Sequence, residues 1–224
     1  MVEIETWMGE FAGKLTDKFG PRLLFLGLQG SYGRGEATGD SDIDVVTVLD
    51  RVELTDLDAY RSLVCQMPEG EKACGFLSGA AELKNWPAYD LLALAQDTRV
   101  ICGTLDGLLP PMGRKELAQG AAIGASELYH AAVHTYLYAP REEWPAFLKA
   151  AKKSAFFVLR TLYELRRGQQ VRVRRELLPR LTEYERALLC PEEGEAPEAA
   201  FDRLIHWSGA VLAETRELAH TEFP

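Results

Sequence analysis

The sequence predicts an α+β protein in which an N-terminal unit with a small mixed sheet precedes a C-terminal helical bundle. Three observations predict this class. Short apolar runs alternate with helical periods in the first half, glycine and proline concentrate at residues 105–115, and beyond that stretch the apolar side chains recur at helical spacing. With 224 residues, 47% of them hydrophobic, the chain can bury a large core. We therefore expect domains at 1–112 and 113–224.

The elements of the N-terminal unit follow from its apolar periods and its turn residues. Residues 3–19 have helical spacing that ends at Gly20-Pro21, and residues 23–28 form a short apolar run typical of a buried strand. Four glycines between positions 30 and 39 predict a loop there. The remaining predicted elements are strands at 43–49, 73–78 and 99–103 and helices at 55–66 and 86–97.

The C-terminal half has few glycines and long helical periods. Helices are predicted at about 116–138, 143–167, 179–190 and 197–221. Four helices of this length can bury their apolar faces against one another, so a bundle is the expected arrangement.

Composition excludes several classes of protein. The first 20 residues contain three glutamates and no continuous apolar stretch, so neither a secretory signal nor a membrane span is expected. The expected location is therefore the cytoplasm. The four cysteines form no CxxC pair, which argues against a zinc site of that kind. A net charge of −9 makes bulk nucleic acid a poor partner. The sequence leaves the oligomeric state open, with a homodimer among the options.

The main candidate functional residues lie in the stretch GSYGRGEATGDSDIDVVTV at 30–48. Side chains alternate along a strand, so Asp42 and Asp44 point to one face at the beginning of an apolar strand. Two carboxylates beside an apolar run repel each other and lose hydration, and a divalent cation offsets both costs. Mg²⁺ is usually held by one or two carboxylates plus substrate phosphates. The preceding glycine turn offers backbone N–H groups, and Ser31 a hydroxyl, to such phosphates.

This arrangement resembles the polymerase-beta-like nucleotidyltransferases, whose signature is Gly-Ser, about ten residues, then Asp-x-Asp. The matching residues are Gly30-Ser31 and Asp42-Ile43-Asp44, and Arg34-Gly35 falls where many members have Arg-Gly. Among family members, the chain is similar to aminoglycoside nucleotidyltransferases and to uncharacterised nucleotidyltransferase-domain proteins. The sequence contains no GxxxxGK[ST] motif, so a P-loop does not bind the phosphates.

The resemblance implies transfer of a nucleoside monophosphate from an NTP to a hydroxyl, with pyrophosphate release. The acceptor would be a small molecule, for example an aminoglycoside-like one, or a protein. Two Mg²⁺ ions roughly 3.5 to 4 Å apart would be bridged by Asp42 and Asp44. Gly30, Ser31 and Arg34 would bind the nucleotide. In the helical half, the Lys152-Lys153 pair suggests Lys153 as a contact of the triphosphate, although a solvated helix face also explains it.

A third carboxylate, which joins the metals or acts as base in this family, is expected between residues 68 and 97. The segment Glu82-Leu83-Lys84-Asn85-Trp86 resembles the corresponding segment of streptomycin/spectinomycin adenylyltransferases, so Glu82 is predicted as metal ligand and base. The other carboxylates in this range are Glu69, Glu71, Asp90 and Asp97.

Two further interpretations stay open. The same fold could serve a non-catalytic nucleotide-binding or antitoxin-like protein, whereas RNA tailing is disfavoured by the charge. Glu127, His130 and His134 share one helix face that could bind a metal, but a partly buried, packed histidine pair is the commoner meaning of such spacing.

Overall fold

The computed structural model describes residues 2–220 and divides the chain into two compact units, Met1–Pro111 and Met112–Pro224. The first unit is built on a four-stranded mixed sheet and the second is helical, which confirms the predicted α+β class. Within the described residues, no helix combines the length and the apolar character that a membrane span requires.

The elements of the first unit largely follow the predicted order. They are α1 (Ile4–Phe19), β1 (Leu23–Leu28), α2 (Gly30–Arg34), β2 (Ile43–Leu49), α3 (Leu54–Cys65), β3 (Ala73–Gly79), α4 (Ala80–Asn85), α5 (Leu92–Asp97) and β4 (Arg99–Gly103). The strand order across the sheet is β3-β2-β1-β4. The two strands that the sequence places on either side of the glycine-rich segment are therefore the two central strands.

Strand direction brings several chain segments to one end of the sheet. β1 is antiparallel to both β2 and β4, whereas β2 and β3 are parallel and pair in register from Ile43 opposite Ala73 to Leu49 opposite Gly79. The end of β1 and the beginnings of β2, β3 and β4 thus lie together, and we call this edge the Asp44 end of the sheet.

Helix α1 covers one face of the sheet with a single apolar stripe. Trp7, Met8, Phe11, Leu15 and Phe19 are all buried, at the spacing of one helix face. They join a core with the inward side chains of β1 and β2. At about 25 cal/mol per Å² of apolar surface, burial of such a stripe stabilises the unit more than any single polar contact.

Two segments differ from the sequence prediction. Residues 30–34, expected to be loop, form α2, because burial of Tyr32 in the core offsets the cost of glycine in a helix. The helix expected at 86–97 is broken: α4 ends at Asn85, a 3₁₀ turn spans Ala88–Leu91, and α5 follows. Trp86 is extended because it precedes a proline, which disfavours helical backbone at that position.

A charged network ties β1 to α3. The Arg22 guanidinium donates to both carboxylate oxygens of Asp56 at 2.8 Å and to Asp50 at 2.9 Å. Asp56 also accepts from the Glu53 backbone N–H at 3.0 Å, which caps α3. The hydrogen bonds from Arg22 lower the pKa of Asp56 to about 2.

Replacement of Asp56 by Asn is expected to lower the melting temperature at pH 7 by a few degrees. Because the folded-state pKa lies below the unfolded value of about 3.9, the stabilisation is complete above pH 4 and is lost as the pH falls through about 2. The difference between wild type and variant should therefore shrink between pH 4 and 2, as measured by thermal melts. Asp58→Asn, on the exposed side of α3, is the control and should follow wild type at every pH.

Up to residue 220, where the described part of the chain ends, the second unit contains three long and two short α-helices. They are α6 (Arg114–Tyr138), α7 (Trp144–Arg167), α8 (Arg174–Leu177), α9 (Glu183–Leu189) and α10 (Pro197–Leu218). α6 packs against both α7 and α10. The helix predicted at 179–190 begins only at Glu183, because Thr182 caps it in a capping box with Glu185. Position 221, the last of the predicted final helix, lies outside the described residues.

Arg166, in the last turn of α7, links three helices of this unit. Its guanidinium binds Glu214 of α10 through two hydrogen bonds of 2.6 and 2.7 Å, and Glu185 of α9 at 2.5 Å. This bidentate pair fixes the ends of α7 and α10 to each other.

Candidate active site

The carboxylate of Asp44 lies against Gly30 at the Asp44 end of the sheet. The backbone N–H of Gln29 donates to the Asp44 carbonyl oxygen at 2.7 Å, so the pairing of β1 and β2 continues to the residue directly before the glycine-rich segment. Gly30 has φ +64°, and a Cβ there would lie 2.7 Å from Cγ of Asp44 and overlap its Oδ2. Only glycine allows this approach, which is why the Gly-Ser turn and the aspartate meet.

Asp42 is exposed just before β2, at the end of a closed loop. Within that loop, the Thr38 backbone N–H donates to Ser41 Oγ at 2.9 Å, and the Ser41 N–H donates to the Thr38 carbonyl at 3.2 Å. The ammonium of Lys72 donates to the Gly39 carbonyl at 3.3 Å. These bonds hold Asp42 near the Asp44 end of the sheet and leave its carboxylate open to solvent.

Arg34, a predicted nucleotide-binding residue, is largely buried at the end of α2. Its side chain is only 12% exposed, its Nε donates to Glu36 at 3.1 Å, and its Nη1 lies 4.0 Å from the buried carboxylate of Asp97. The ion pair with Asp97 links α2 to the end of α5. A role in nucleotide binding stays a prediction for Arg34.

The residue directly beside Asp44 on the neighbouring strand is Cys74. The two are register partners in the parallel β2–β3 pair, and the Cys74 thiol donates to Asp44 Oδ1 at 3.2 Å. Cys74 is exposed, because β3 is the edge strand of the sheet. The sequence analysis missed Cys74. Cys74 is the second residue of β3, as Asp44 is the second residue of β2. These matching positions indicate a contact only when the two strands are known to pair in parallel and in register.

The prediction that Glu82 completes the carboxylate cluster is wrong. Glu82 follows the C-terminal end of β3, and its Cδ lies 3.4 Å from the position that a Cβ on Gly79 would occupy. Gly79 pairs with Leu49, five residues along β2 from Asp44, which is roughly 16 Å at about 3.3 Å per residue. In-register parallel pairing therefore puts Glu82 at the opposite end of the sheet from Asp44.

Glu82→Gln is accordingly expected to leave kcat and nucleotide affinity within about twofold of wild type, because an exposed carboxylate so far from Asp44 cannot accept a proton there. The measurement is steady-state turnover with calorimetric nucleotide binding. Glu71→Gln is the matched variant, since Glu71 is also exposed but lies at the Asp44 end. A fall of 10² to 10⁴ in kcat for Glu82→Gln, the usual range for a lost base, would contradict this placement.

The remaining candidate carboxylates differ in exposure and in their partners. Glu71 is exposed two residues before β3, and Glu69 pairs with Lys72, whose hydrogen bond lowers the pKa of Glu69. Asp97 is buried beside Arg34, and Asp90 accepts a hydrogen bond from the Trp86 indole at 2.6 Å. Glu69 and Glu71 are thus the exposed candidates at the Asp44 end, and Glu69 already binds Lys72.

Lys153 is exposed on α7 in the second unit, as a lysine that binds an external phosphate must be. Its neighbour Lys152 is half-buried and lines a cavity of about 270 Å³ between α7, α9 and α10. The role of Lys153 in nucleotide binding stays a prediction.

The histidine pair of α6 is exposed rather than packed. The rings of His130 and His134 are 6.1 Å apart between centroids, and His134 also contacts Tyr138 at 5.1 Å. Across residues 2–220, no three His, Cys, Asp or Glu side chains converge closely enough to hold a metal unaided. Glu127 therefore does not complete a site with the two histidines.

The donor set at the Asp44 end fits a divalent cation that substrate helps to bind. Asp42 and Asp44 offer hard oxygens, both reachable from solvent, and Gly30 removes the side chain that would cover Asp44. Mg²⁺ characteristically keeps waters and takes further ligands from phosphates, so two protein carboxylates suffice.

Comparison with known proteins identifies the first unit. Residues 9–94 match the family model of the nucleotidyltransferase domain. These residues include Gly30, Ser31, Asp42 and Asp44, so the chain contains a nucleotidyltransferase domain of the polymerase-beta-like superfamily. No curated protein matches the sequence.

Among solved structures, the fold is similar to that of a spectinomycin adenyltransferase from Enterococcus faecialis, determined with ATP and spectinomycin. The TM-score is 0.54 at 14% sequence identity, and the match covers 92% of this chain and 99% of that one. At this identity the likeness shows a shared fold.

Proposed function

We propose that the protein transfers a nucleoside monophosphate from an NTP to a hydroxyl of a small molecule and releases pyrophosphate. The observation that carries this proposal is the Asp44 carboxylate packed against Gly30 in a domain whose family model covers both residues. The half-exposed Asp44 carboxylate permits only glycine at position 30, and this restriction has no benefit for a protein with a purely structural role.

Each residue at the Asp44 end has a distinct task in this proposal. Gly30 leaves room for the triphosphate beside Asp44, and Ser31, half-exposed at the beginning of α2, offers a hydroxyl donor. Asp42 and Asp44 bind a divalent cation, predicted to be Mg²⁺. When bound, such an ion neutralises the triphosphate and stabilises the charge that develops on the transferred phosphoryl group.

The structure of the spectinomycin adenyltransferase suggests the class of molecule that accepts the nucleotide. That adenyltransferase was determined with spectinomycin, and its fold extends over nearly the whole of this chain. An aminoglycoside-like acceptor would be cationic, which suits a protein with a net charge of −9. A hydroxyl on a protein is the second acceptor to test.

A non-catalytic, nucleotide-binding or antitoxin-like protein is the alternative, and one observation favours it. The strand position nearest to Asp44 holds Cys74, where a third carboxylate could otherwise have joined Asp42 and Asp44. Such a protein would bind an NTP with a divalent cation but would not release pyrophosphate.

One assay separates these functions. The purified protein is incubated with Mg²⁺, each of ATP, GTP, CTP and UTP, and a panel of aminoglycosides, lincosamides and candidate proteins, and pyrophosphate release is measured beside calorimetric nucleotide binding. Acceptor-dependent release supports the transferase. Binding without release in every combination supports the alternative, and cation-independent binding or none contradicts both.

A further inference from the structure

The short helix α2, which carries Ser31, lies directly against α5. A Cβ on Gly33 of α2 would lie 3.6 Å from the Asp97 carbonyl oxygen at the end of α5. Directly before α2, Nε2 of Gln29 donates to the Ala93 carbonyl oxygen of α5 at 3.3 Å. The position of Ser31 is therefore linked to the position of α5.

Asp97 supplies a buried negative charge at this contact. Its side chain is only 4% exposed, and the Nη1 atom that lies 4.0 Å from it belongs to Arg34, whose side chain is only 12% exposed. Charges removed from water in this way are tolerated only when they are paired, so each side chain restricts the position of the other. Asp97 is the last residue of α5 and stands two residues before β4, so its backbone is held by the sheet. We therefore expect Arg34 and the last turn of α2 to follow Asp97.

We propose that Asp97 is a positioning residue that holds α2, through Arg34, in the place where Ser31 receives a nucleotide phosphate. This inference rests on the proposed function for the role of Ser31. Asp97 does not itself bind the phosphate, because its carboxylate is buried and carries the same sign of charge. A functional group displaced by about an ångström can lose a factor of about 10², so loss of Asp97 should weaken nucleotide binding although no contact with the nucleotide is removed.

A different role for the ion pair predicts a change of opposite sign. If Arg34 bound the triphosphate and Asp97 only competed for its charge, removal of the Asp97 charge would strengthen nucleotide binding, because the guanidinium would then interact with the phosphates alone. If Asp97 positions α2, the same substitution weakens binding. The direction of the change in nucleotide affinity therefore separates the two roles.

Asp97→Asn keeps the shape of the side chain and removes its charge. Its affinity for ATP with Mg²⁺, measured by calorimetry on the full chain, should be about tenfold or more below that of wild type. Asp106→Asn, an identical change in the exposed segment after β4, is the control and should stay within about twofold. If Asp97→Asn does not fold, Asp97→Glu takes its place: it keeps the charge but moves the carboxylate by one methylene, and it should also weaken binding.

A double-mutant cycle with Ser31→Ala distinguishes positioning from a general loss of stability. Ser31→Ala should weaken ATP binding in the wild-type background, and it should have almost no further effect once Asp97→Asn has displaced α2. A substitution that merely lowers the folded fraction leaves the effect of Ser31→Ala unchanged. Asp106→Asn should combine additively with Ser31→Ala.

Hydrogen exchange tests the link between Asp97 and α2 without nucleotide. The backbone N–H groups of Gly33 and Glu36 donate to the carbonyls of Gln29 and Ser31 at 2.9 and 2.8 Å. In Asp97→Asn these amides should exchange about tenfold faster, whereas exchange across β2 should stay unchanged.

The outcomes separate this inference from the proposed function. Unchanged or stronger ATP binding by Asp97→Asn, an additive effect of Ser31→Ala, or unchanged exchange in α2 overturns the inference even if the wild-type protein transfers nucleotides. A wild-type protein that binds no NTP contradicts the proposed function, and faster exchange confined to α2 then still supports the part of the inference that links Asp97 to this helix.

Discussion

Replacement of Asp44 by Asn is expected to abolish nucleotidyl transfer and to remove the cation dependence of nucleotide binding. The amide keeps the shape that fits against Gly30 but no longer carries the charge that binds the cation. A bound cation contributes several kcal/mol to the stabilisation of transition-state charge, so kcat should fall by roughly 10³-fold or more. Pyrophosphate release and calorimetry with and without a divalent cation measure the two effects.

The matched control for this variant is Asp40→Asn, an identical charge change in the exposed loop that precedes Asp42. If the effect at Asp44 comes from direct binding, Asp40→Asn should stay within about twofold of wild type, because exposed charges interact weakly through water. The melting temperature of Asp44→Asn should equal or exceed that of wild type. Unfolding of this variant would mean that Asp44 is a structural residue.

Gly30→Ala is expected to weaken cation-dependent nucleotide binding by roughly 10²-fold, because displacement of a functional group by about an ångström can have an effect of that size. The new Cβ would lie 2.7 Å from Cγ of Asp44, so this carboxylate must rotate away from its present position. The positive φ adds about 1 to 2 kcal/mol of backbone strain. Calorimetric titration and thermal melts measure these consequences separately.

Gly35→Ala isolates the backbone strain from the displacement of Asp44. Gly35 has φ +71°, close to the +64° of Gly30, but nothing lies within 4 Å of its added Cβ. Both variants should lose similar stability, and Gly35→Ala alone should bind nucleotide normally. If the two variants lose nucleotide binding equally, the contact between Gly30 and Asp44 has no special role.

The local elements of the first unit could be predicted from the sequence because their signals are local. Strands at 23–28, 43–49 and 99–103 agree with β1, β2 and β4, since short apolar runs between turn residues have few other ways to bury themselves. The helix α2 was missed because its stabilisation comes from Tyr32, whose burial depends on α1 and the sheet rather than on its neighbours.

Part of the candidate site could also be predicted from the sequence. Alternation along a strand predicted that Asp42 and Asp44 share a face, and the glycine-rich segment between β1 and β2 was predicted to lie beside them; the structure puts Gly30 in contact with Asp44. Both inferences concern residues joined by one short connection, so chain geometry leaves little freedom.

Which side chain stands beside Asp44 on the next strand was decided only by the tertiary structure. β2 and β3 are separated by α3, and the sequence does not specify whether they pair in parallel or in which register. Parallel, in-register pairing brings Cys74 to Asp44 and carries Glu82 to the far end of β3. The reason is physical: register is set by the packing of whole strand faces against the core, whereas the resemblance that pointed to Glu82 followed only the order of residues along the chain.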